Sequence, residues 1–382
     1  MDKNQKAILW LSSGHFANDI YTGILNPVMP FIAAKIGITM AMATVVISIS
    51  SIFSSLLQPI FGFFADNILK RIFIFWGLIL SSIFIPLAPL SQNIWMLIIF
   101  MILGSLGSSF YHPQASGFIN RFASITNTCA SDMGFFISMG SLGFSFGPLI
   151  AAYVTQYWGM ENMPVISIMG LLLAFSMFIF VPKLSNTEVK PKYKSFKETF
   201  CTIFKCKKMN YLMLISMMKS LVTTSFCTLL PFLWKNMGYS PSYIGTALFL
   251  FIIAGGIGSF CSHKIEEKTG TKPLLYFSMI ATLPMIIAFS FTYQNHPILS
   301  IITFVSIGFT TMLAQPITIL MGQTILPQYK SVVAGFMNGF AWGVVAILLS
   351  AIGLTAQNYG ITNVLMLLSI FPVIASFLVK YL

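Results

Sequence analysis

The sequence predicts an all-α membrane protein of twelve transmembrane helices in two pseudo-symmetric six-helix bundles. Three observations predict this. The composition is too apolar to wet a soluble surface, apolar runs long enough to cross a bilayer recur along the chain, and landmark residues repeat at a fixed offset of 201.

Of 382 residues, 57% are hydrophobic and 8% charged, whereas a soluble domain carries about 25% charged residues. So few charges leave much of the surface to face lipid. The 37 Phe suit lipid-facing and interfacial positions. A transmembrane β-barrel would instead need alternating segments of about ten residues. The net charge of +12 would suggest nucleic acid in a soluble protein. Here it is better explained by loop topology, and no nucleic-acid partner is expected. Cys129, Cys201, Cys206, Cys227 and Cys261 form no CxxC pair, so neither a zinc site nor any other cofactor is implied. The first apolar run begins near Ala7 and lacks the A-x-A exit of a cleavable signal, so it is expected to be the first span.

Read between charge and turn punctuation, the spans fall at roughly 8–34, 40–65, 72–90, 94–118, 130–156 and 162–182. The second set falls at 211–235, 242–262, 273–292, 297–322, 331–357 and 361–380. This gives an N-terminal bundle (1–182), a cytoplasmic linker (183–209) and a C-terminal bundle (210–382). The linker is the one long hydrophilic stretch and carries Lys190, Lys192, Lys194, Lys197, Lys205, Lys207 and Lys208. Its Phe196, Phe200, Ile203 and Phe204 recur at helical spacing, which fits an amphipathic helix on the membrane surface, with a disordered tether as the alternative.

Lysine and arginine set the orientation. With the N-terminus inside, eighteen of them fall in cytoplasmic segments, and only Lys35 and Lys235 fall outside. Both termini are therefore expected to be cytoplasmic. The repeat is direct: Pro30-Phe31 answers Pro231-Phe232, and Gly134-Phe135 answers Gly335-Phe336, both at 201. His112-Pro113 answers Gln315-Pro316 at 203. Six spans per half is an even number, so both halves enter the membrane in the same sense, as in parallel-repeat transporters.

Polar groups in the spans are the candidate site. A charge at the bilayer centre costs about 2.5–3.5 kcal/mol on insertion scales, so one that persists there calls for a functional account. His15, Asp19, His112, Arg121, Asp132 and Lys219 are the candidates. His15 and Asp19 are four apart and share a helix face. A carboxyl exposed to water on alternate sides can load and release a proton, which makes Asp19 the first candidate for proton coupling, with His15 and His112 as relays. A static Asp19, merely paired with His15 or Lys219, is the competing expectation. Position 19 plus 201 is Ser220, so Lys219 adjoins the symmetry mate of Asp19, and the two charges are expected to face each other. Arg121 fits snorkelling anchorage or substrate binding, and Asp132 a charge at a helix start. Asn18, Asn26, Tyr21, Gln114, Gln315 and Asn338 are further candidates for substrate contact. Gln58, Gln323, Trp234 and Trp342 are polar or aromatic groups in spans without a sharper assignment. Gly140, Gly143, Gly147 and Pro148 line one face of the fifth span, where small residues allow close helix approach. His263 and His296 read as loop residues.

The segment Gly62-Phe-Phe-Ala-Asp66-Asn67-Ile-Leu69-Lys70-Arg71 resembles the major facilitator loop signature G-x-x-x-D-R-x-G-R-K/R, with Asn67 for Arg and Leu69 for Gly. Gly62, Asp66, Lys70 and Arg71 would then form a conformational gating loop. Glu266-Glu267-Lys268-Thr-Gly270-Thr-Lys272 is its counterpart in the second half. His15-Phe16-Ala17-Asn18-Asp19 and Phe110-Tyr111-His112-Pro113-Gln114-Ala115 are similar to motifs of the fosmidomycin-resistance branch, where an acid usually stands at the place of Gln114. The resemblance implies the major facilitator fold, a cavity lined by spans 1, 4, 7 and 10, and drug export by proton antiport across the bacterial inner membrane. The implied partners are a small-molecule substrate, protons and the lipid bilayer, with a monomer sufficient. Import of an anionic metabolite, such as a carboxylate siderophore, is the alternative that Lys219 and Arg121 motivate. A metal-ion transporter using His15, Asp19 and His112 is a second. An intramembrane enzyme is a third, but H-x-x-x-x-D, HExxH and the Walker GxxxxGK[ST] pattern of an ATP-driven pump do not occur.

Overall fold

The computed structural model describes residues 3–58, 60, 61, 64, 71–126, 129–182, 196–327, 332, 333 and 336–382; the side chains of 124–126, 129, 130, 196, 199 and 338 lie outside the described set. Among these residues the chain is helical, with no strands. Among the described residues, ten helical segments are long and apolar enough to cross a bilayer. Two further segments, 3–36 and Met40–Ser55, occupy the places of the first two expected spans.

Contacts divide the chain into two compact units, one of Met1–Lys190 with Trp234–Phe249 and one of Pro191–Leu233 with Leu250–Leu382. The first unit begins with α1 (Lys3–Gly23) and α2 (Leu25–Ile36). The sequence predicts one continuous span at 8–34; the helix instead breaks at Ile24. Pro27 has no N–H to give to the carbonyl of Gly23 and its ring crowds that turn, and the Ile24 N–H reaches back only three residues, to the Tyr21 carbonyl at 3.3 Å. α2 ends at Gly37, whose φ of +71° suits a residue without Cβ. α3 (Met40–Ser55) starts at Thr39, whose hydroxyl accepts the Met42 N–H. α4 (Ile72–Leu87), α5 (Ile94–Thr126), α6 (Cys129–Tyr157) and α7 (Ser167–Phe180) complete the unit.

α1 lies directly on α6 because of the glycine face of α6. A Cβ at Gly143 would meet the carbonyl oxygen of Phe16, one at Gly147 that of Ile20, and one at Gly140 the ring of His15. Gly140 therefore does two things: it brings the helices together and clears the volume that the imidazole fills.

The second unit contains α8 (Phe196–Lys205), α9 (Lys207–Asn236), α10 (Pro241–Thr269), α11 (Thr271–Thr292), α12 (Pro297–Leu313), α13 (Gln315–Ile325), α14 (Ala341–Tyr359), α15 (Ile361–Leu367) and α16 (Ile370–Leu378). The segment Trp234–Phe249, the end of α9 and the start of α10, groups with the first unit. The expected tenth span, 297–322, is broken at Ala314, ahead of Pro316, for the same reason as the break ahead of Pro27. α5 by contrast is helical through Pro113. A π-helical turn, Phe336–Phe340, leads into α14. His263 lies in the last turns of α10, beside Glu267 at 3.3 Å, rather than in a loop.

α8 falls in the expected linker. Ile203 on its apolar face is fully buried, and Phe200 and Phe204 meet the Phe336 ring at 4.6 and 5.7 Å. The amphipathic face thus seats on protein, on the π-helical turn ahead of α14.

Candidate functional site

The polar core of the first unit is built around Asp19. His15 lies one turn earlier on α1 and brings Nε2 to 3.3 Å from Asp19 Oδ2. His112, from α5, brings Nε2 to 3.2 Å from the other carboxylate oxygen. The carboxylate is thus held between two imidazoles, with its side chain 16% exposed. The His15 ring stacks on Phe136 at 4.0 Å and meets the edge of His112 at 4.9 Å.

Hydrogen-bond directions fix much of the proton inventory. His15 Nδ1 lies 2.7 Å from the Phe136 carbonyl oxygen, which can only accept, so Nδ1 carries a hydrogen. Nε2 then needs a second proton, on the ring or on the carboxyl, for its contact with Asp19 to be attractive. One exchangeable proton is built into that contact.

Asn18 supports the other side. Its Oδ1 accepts from Ser81 Oγ at 2.9 Å, which turns Nδ2 toward Asp19 Oδ1 at 3.2 Å, His112 Nε2 at 3.3 Å and Ser108 Oγ at 3.4 Å. Two amide hydrogens serve three acceptors. Asn18 can donate to a bare His112 Nε2, or to Asp19 and Ser108 when that nitrogen is itself protonated and donates to the carboxylate. The amide accommodates both protonation states without moving.

The repeat reproduces this framework in the second unit with different chemistry. Ser216, 201 residues after His15, donates to the Met337 carbonyl at 3.4 Å, and Met337 stands 201 residues after Phe136. Lys219, the mate of Asn18, donates from Nζ to the side-chain oxygen of Gln315, the residue that answers His112. Ser220 stands for Asp19. Lys219 is 1% exposed. Asp19 and Lys219 each find these partners inside their own unit.

The other expected site residues separate into groups. Gln114 is buried on α5 and its Oε1 accepts the Ile74 N–H at 2.9 Å, which caps the first turn of α4. Tyr21 is fully buried; its hydroxyl donates to the Ile166 carbonyl and accepts the Gly170 N–H, tying α1 to α7. Asn26 is partly buried two turns beyond Asp19 and joins none of the contacts of the cluster. Arg121 is partly buried near the end of α5. Arg71 places its guanidinium over the rings of Phe75 and Phe178 at 5.2 and 5.8 Å and donates to the Phe178 carbonyl. Gly62, Asp66 and Lys70 lie outside the described residues, as does the side chain of Asn338.

Ser81, Ser108, Tyr111 and the Phe136 carbonyl belong to the first cluster and were not expected from the sequence. Tyr111 donates to the Leu11 carbonyl at 2.5 Å and is fully buried beside His112. The serines sit in apolar runs where small polar residues are common, and a backbone carbonyl has no residue signature. His15, Asp19 and His112 also bring ligand-capable atoms within 4.8 Å of one another, a spacing that a metal ion could use. His15 Nε2 and His112 Nε2 would be the nitrogen ligands and Asp19 the oxygen ligand.

The family profile described as Major Facilitator Superfamily matches residues 11–351. The chain is 22% identical to the fosmidomycin resistance protein of Escherichia coli (strain K12) over 374 residues, which cover 95% of this chain and 89% of that protein. It is 25% identical to the quinolone resistance protein NorA of Staphylococcus aureus (strain MSSA476) over 331 residues, covering 84% and 80%. Among solved structures, the nucleoside transporter NupG superposes with a TM-score of 0.80 at 13% identity, covering 98% of this chain and 99% of that one. A bacterial homologue of the human lysosomal transporter Spinster, in an inward-facing occupied conformation, gives 0.75 at 15% identity, covering 98% and 95%.

Proposed function

The chain belongs to the Major Facilitator Superfamily, and on that premise we propose that it is a proton-coupled exporter of small organic molecules, working by alternating access in the bacterial inner membrane. Asp19 is the proton carrier; His15 and His112 relay the proton, and Asn18 steadies both states. Lys219 and Gln315 contact the substrate. Both termini are cytoplasmic on this reading, which the distribution of loop lysines supports. The functional unit is a single chain.

One observation carries this reading: the carboxylate of Asp19 lies between two imidazole Nε2 atoms, with His15 Nδ1 committed to a carbonyl. An attractive contact there needs a shared proton. Such a cluster stores a proton in a low-dielectric span, where an isolated charge would be costly. Names of relatives support the direction, because the fosmidomycin and quinolone resistance proteins are described by the drugs they resist.

The test is reconstitution in liposomes with a trapped pH dye, adding fosmidomycin or a quinolone as probe. Wild type is expected to move protons against the probe, and Asp19→Asn to fall to the leak of empty liposomes. Full coupling in Asp19→Asn would remove Asp19 from the path and pass the role to His15 or His112. Proton flow in the same direction as the probe would make the protein a symporter.

A further inference from the structure

We propose that His15, Asp19 and His112 bind a divalent transition-metal ion, Zn²⁺ or a close neighbour, in the place of the shared proton, and that the bound ion arrests the transporter. The binding stands on geometry alone; the arrest rests on the proton-coupling reading above.

The three side chains bring suitable atoms to suitable separations. His15 Nε2 lies 3.3 Å from Asp19 Oδ2, and His112 Nε2 lies 3.2 Å from Asp19 Oδ1. Zinc holds nitrogen and carboxylate oxygen at about 2.0–2.2 Å, so two ligands of one ion stand roughly 2.9–3.5 Å apart at angles from 90° to the tetrahedral. Both N···O separations therefore suit a shared ion as well as they suit a hydrogen bond. The ligand-capable atoms all lie within 4.8 Å of one another, so small side-chain rotations close the imidazoles on the ion.

The surrounding contacts are those a metal site needs. A histidine that ligates through one ring nitrogen ordinarily donates its other N–H to a carbonyl or carboxylate, which fixes the tautomer and aims the ring. His15 does this: Nδ1 donates to the Phe136 carbonyl at 2.7 Å, and Nε2 faces Asp19. The Phe136 ring, stacked on the imidazole at 4.0 Å, holds its plane. Asn18 donates to Asp19 Oδ1 at 3.2 Å, and its own carbonyl is held by Ser81. An ion on His112 Nε2 takes the lone pair there, and the Asn18 amide then serves Asp19 and Ser108, as it does when that nitrogen is protonated.

Ligand chemistry selects the ion. Two imidazoles and one carboxylate suit Zn²⁺, Co²⁺ and Ni²⁺, whereas Mg²⁺ and Ca²⁺ take oxygen ligands and Cu⁺ takes sulfur. Three protein ligands leave a coordination position open for water. Asp19 and His112 are 16% and 22% exposed, which gives the ion and this water a way in, while His15 at 9% is the inner ligand. An ion held by both Nε2 lone pairs and the carboxylate occupies the acceptors that the proton uses, so no proton can load.

The experiment titrates the full-length protein in detergent with Zn²⁺ by calorimetry, then with Co²⁺, whose visible absorption reports nitrogen and oxygen ligation. Wild type should bind one ion per chain, and Mg²⁺ or Ca²⁺ should not displace it. His15→Ala and His112→Ala should each weaken binding at least about 10-fold, since losing a ligand costs no less than losing an outer partner of one. His263→Gln, which removes the exposed imidazole beside Glu267, should bind as wild type does. His112→Ala leaves the His15–Phe136 bond in place, so the question stays measurable if His15→Ala does not fold. No binding to wild type, or equal binding in wild type and either alanine variant, would overturn the site. In liposomes with the trapped pH dye, saturating Zn²⁺ should stop wild-type proton movement. Continued proton movement, or Zn²⁺ accumulating inside the vesicles as cargo, would overturn the arrest. Because the detergent readout involves no transport, it separates from the exporter test: metal binding lost in His112→Ala, together with full coupling in Asp19→Asn, would sink the proton reading and leave the site standing.

Discussion

The two polar clusters are built on one framework and do opposite things with it. In the first unit, His15, Asn18, Asp19 and His112 gather titratable groups around a carboxylate. In the second, Ser216, Lys219, Ser220 and Gln315 hold a cation that no local acid answers. The shared part is mechanical. A side chain on the first span of each half reaches the carbonyl of the residue equivalent in the repeat, Phe136 or Met337. The difference lies wholly in the side chains mounted on it. On the proposed reading, one copy of the duplicated scaffold handles protons and the other the cargo, while the side-chain-to-carbonyl contact inside each unit is kept.

The largest effect expected is at the carboxylate. Asp19→Asn should remove proton movement in the liposome assay, whereas Ser216→Ala, which touches only the alignment bond of the other cluster, should leave coupling in place and cost about 1 kcal/mol of stability, read as a drop in the thermal midpoint. Loss of coupling in Ser216→Ala would mean that the clusters are not separable.

Next in size is the seam that makes the first cluster possible. Gly143→Val places new atoms on the Phe16 carbonyl, and overpacking of this kind costs about 1–3 kcal/mol. The same substitution at Gly117, where a Cβ meets nothing within 4 Å, should be close to silent apart from helix propensity. A thermal scan of the two variants side by side checks the pair.

Comparable in size, or smaller where water reaches the site, is the effect at Gln114. Gln114→Leu leaves the Ile74 N–H without its acceptor and should cost about 1–3 kcal/mol if that amide stays dry, less if water reaches it. Gln114→Glu retains an acceptor and should lie nearer wild type. Proton coupling that fails in Gln114→Leu while its midpoint is unchanged would give Gln114 a part in the proton path after all.

Much of this was legible in the sequence, for reasons that can be named. Helical periodicity put His15 and Asp19 on one face, the offset of 201 paired Asp19 with Ser220, and glycines spaced by three and four marked the face of α6 that receives α1. What stayed hidden depends on the third dimension. The Phe136 carbonyl has no residue code. Asn18 gains its role only because Ser81, from another helix, fixes its amide. Gln114 and Tyr21 are candidate substrate contacts in the sequence because polar groups are scarce in spans; in the structure the Gln114 side-chain oxygen accepts the Ile74 N–H, and the Tyr21 hydroxyl meets the backbone of Ile166 and Gly170. Pro27 and Pro316 end their helices while Pro113 does not, and proline alone does not say which outcome holds.

The seating of α8 changes what counts as the second half of the molecule. Because Phe200 and Phe204 pack on Phe336 and Phe340 of their own unit, with Ile203 buried in the same cluster, the polypeptide from Phe196 onward carries its own cover for the π-helical turn ahead of α14. Two separate genes, one ending after Pro182 and one beginning just before Phe196, would leave that seam intact within the second piece. Their co-expression should yield functional protein, and moving the second start past Lys205 should abolish it by stripping those aromatic rings of their shelter.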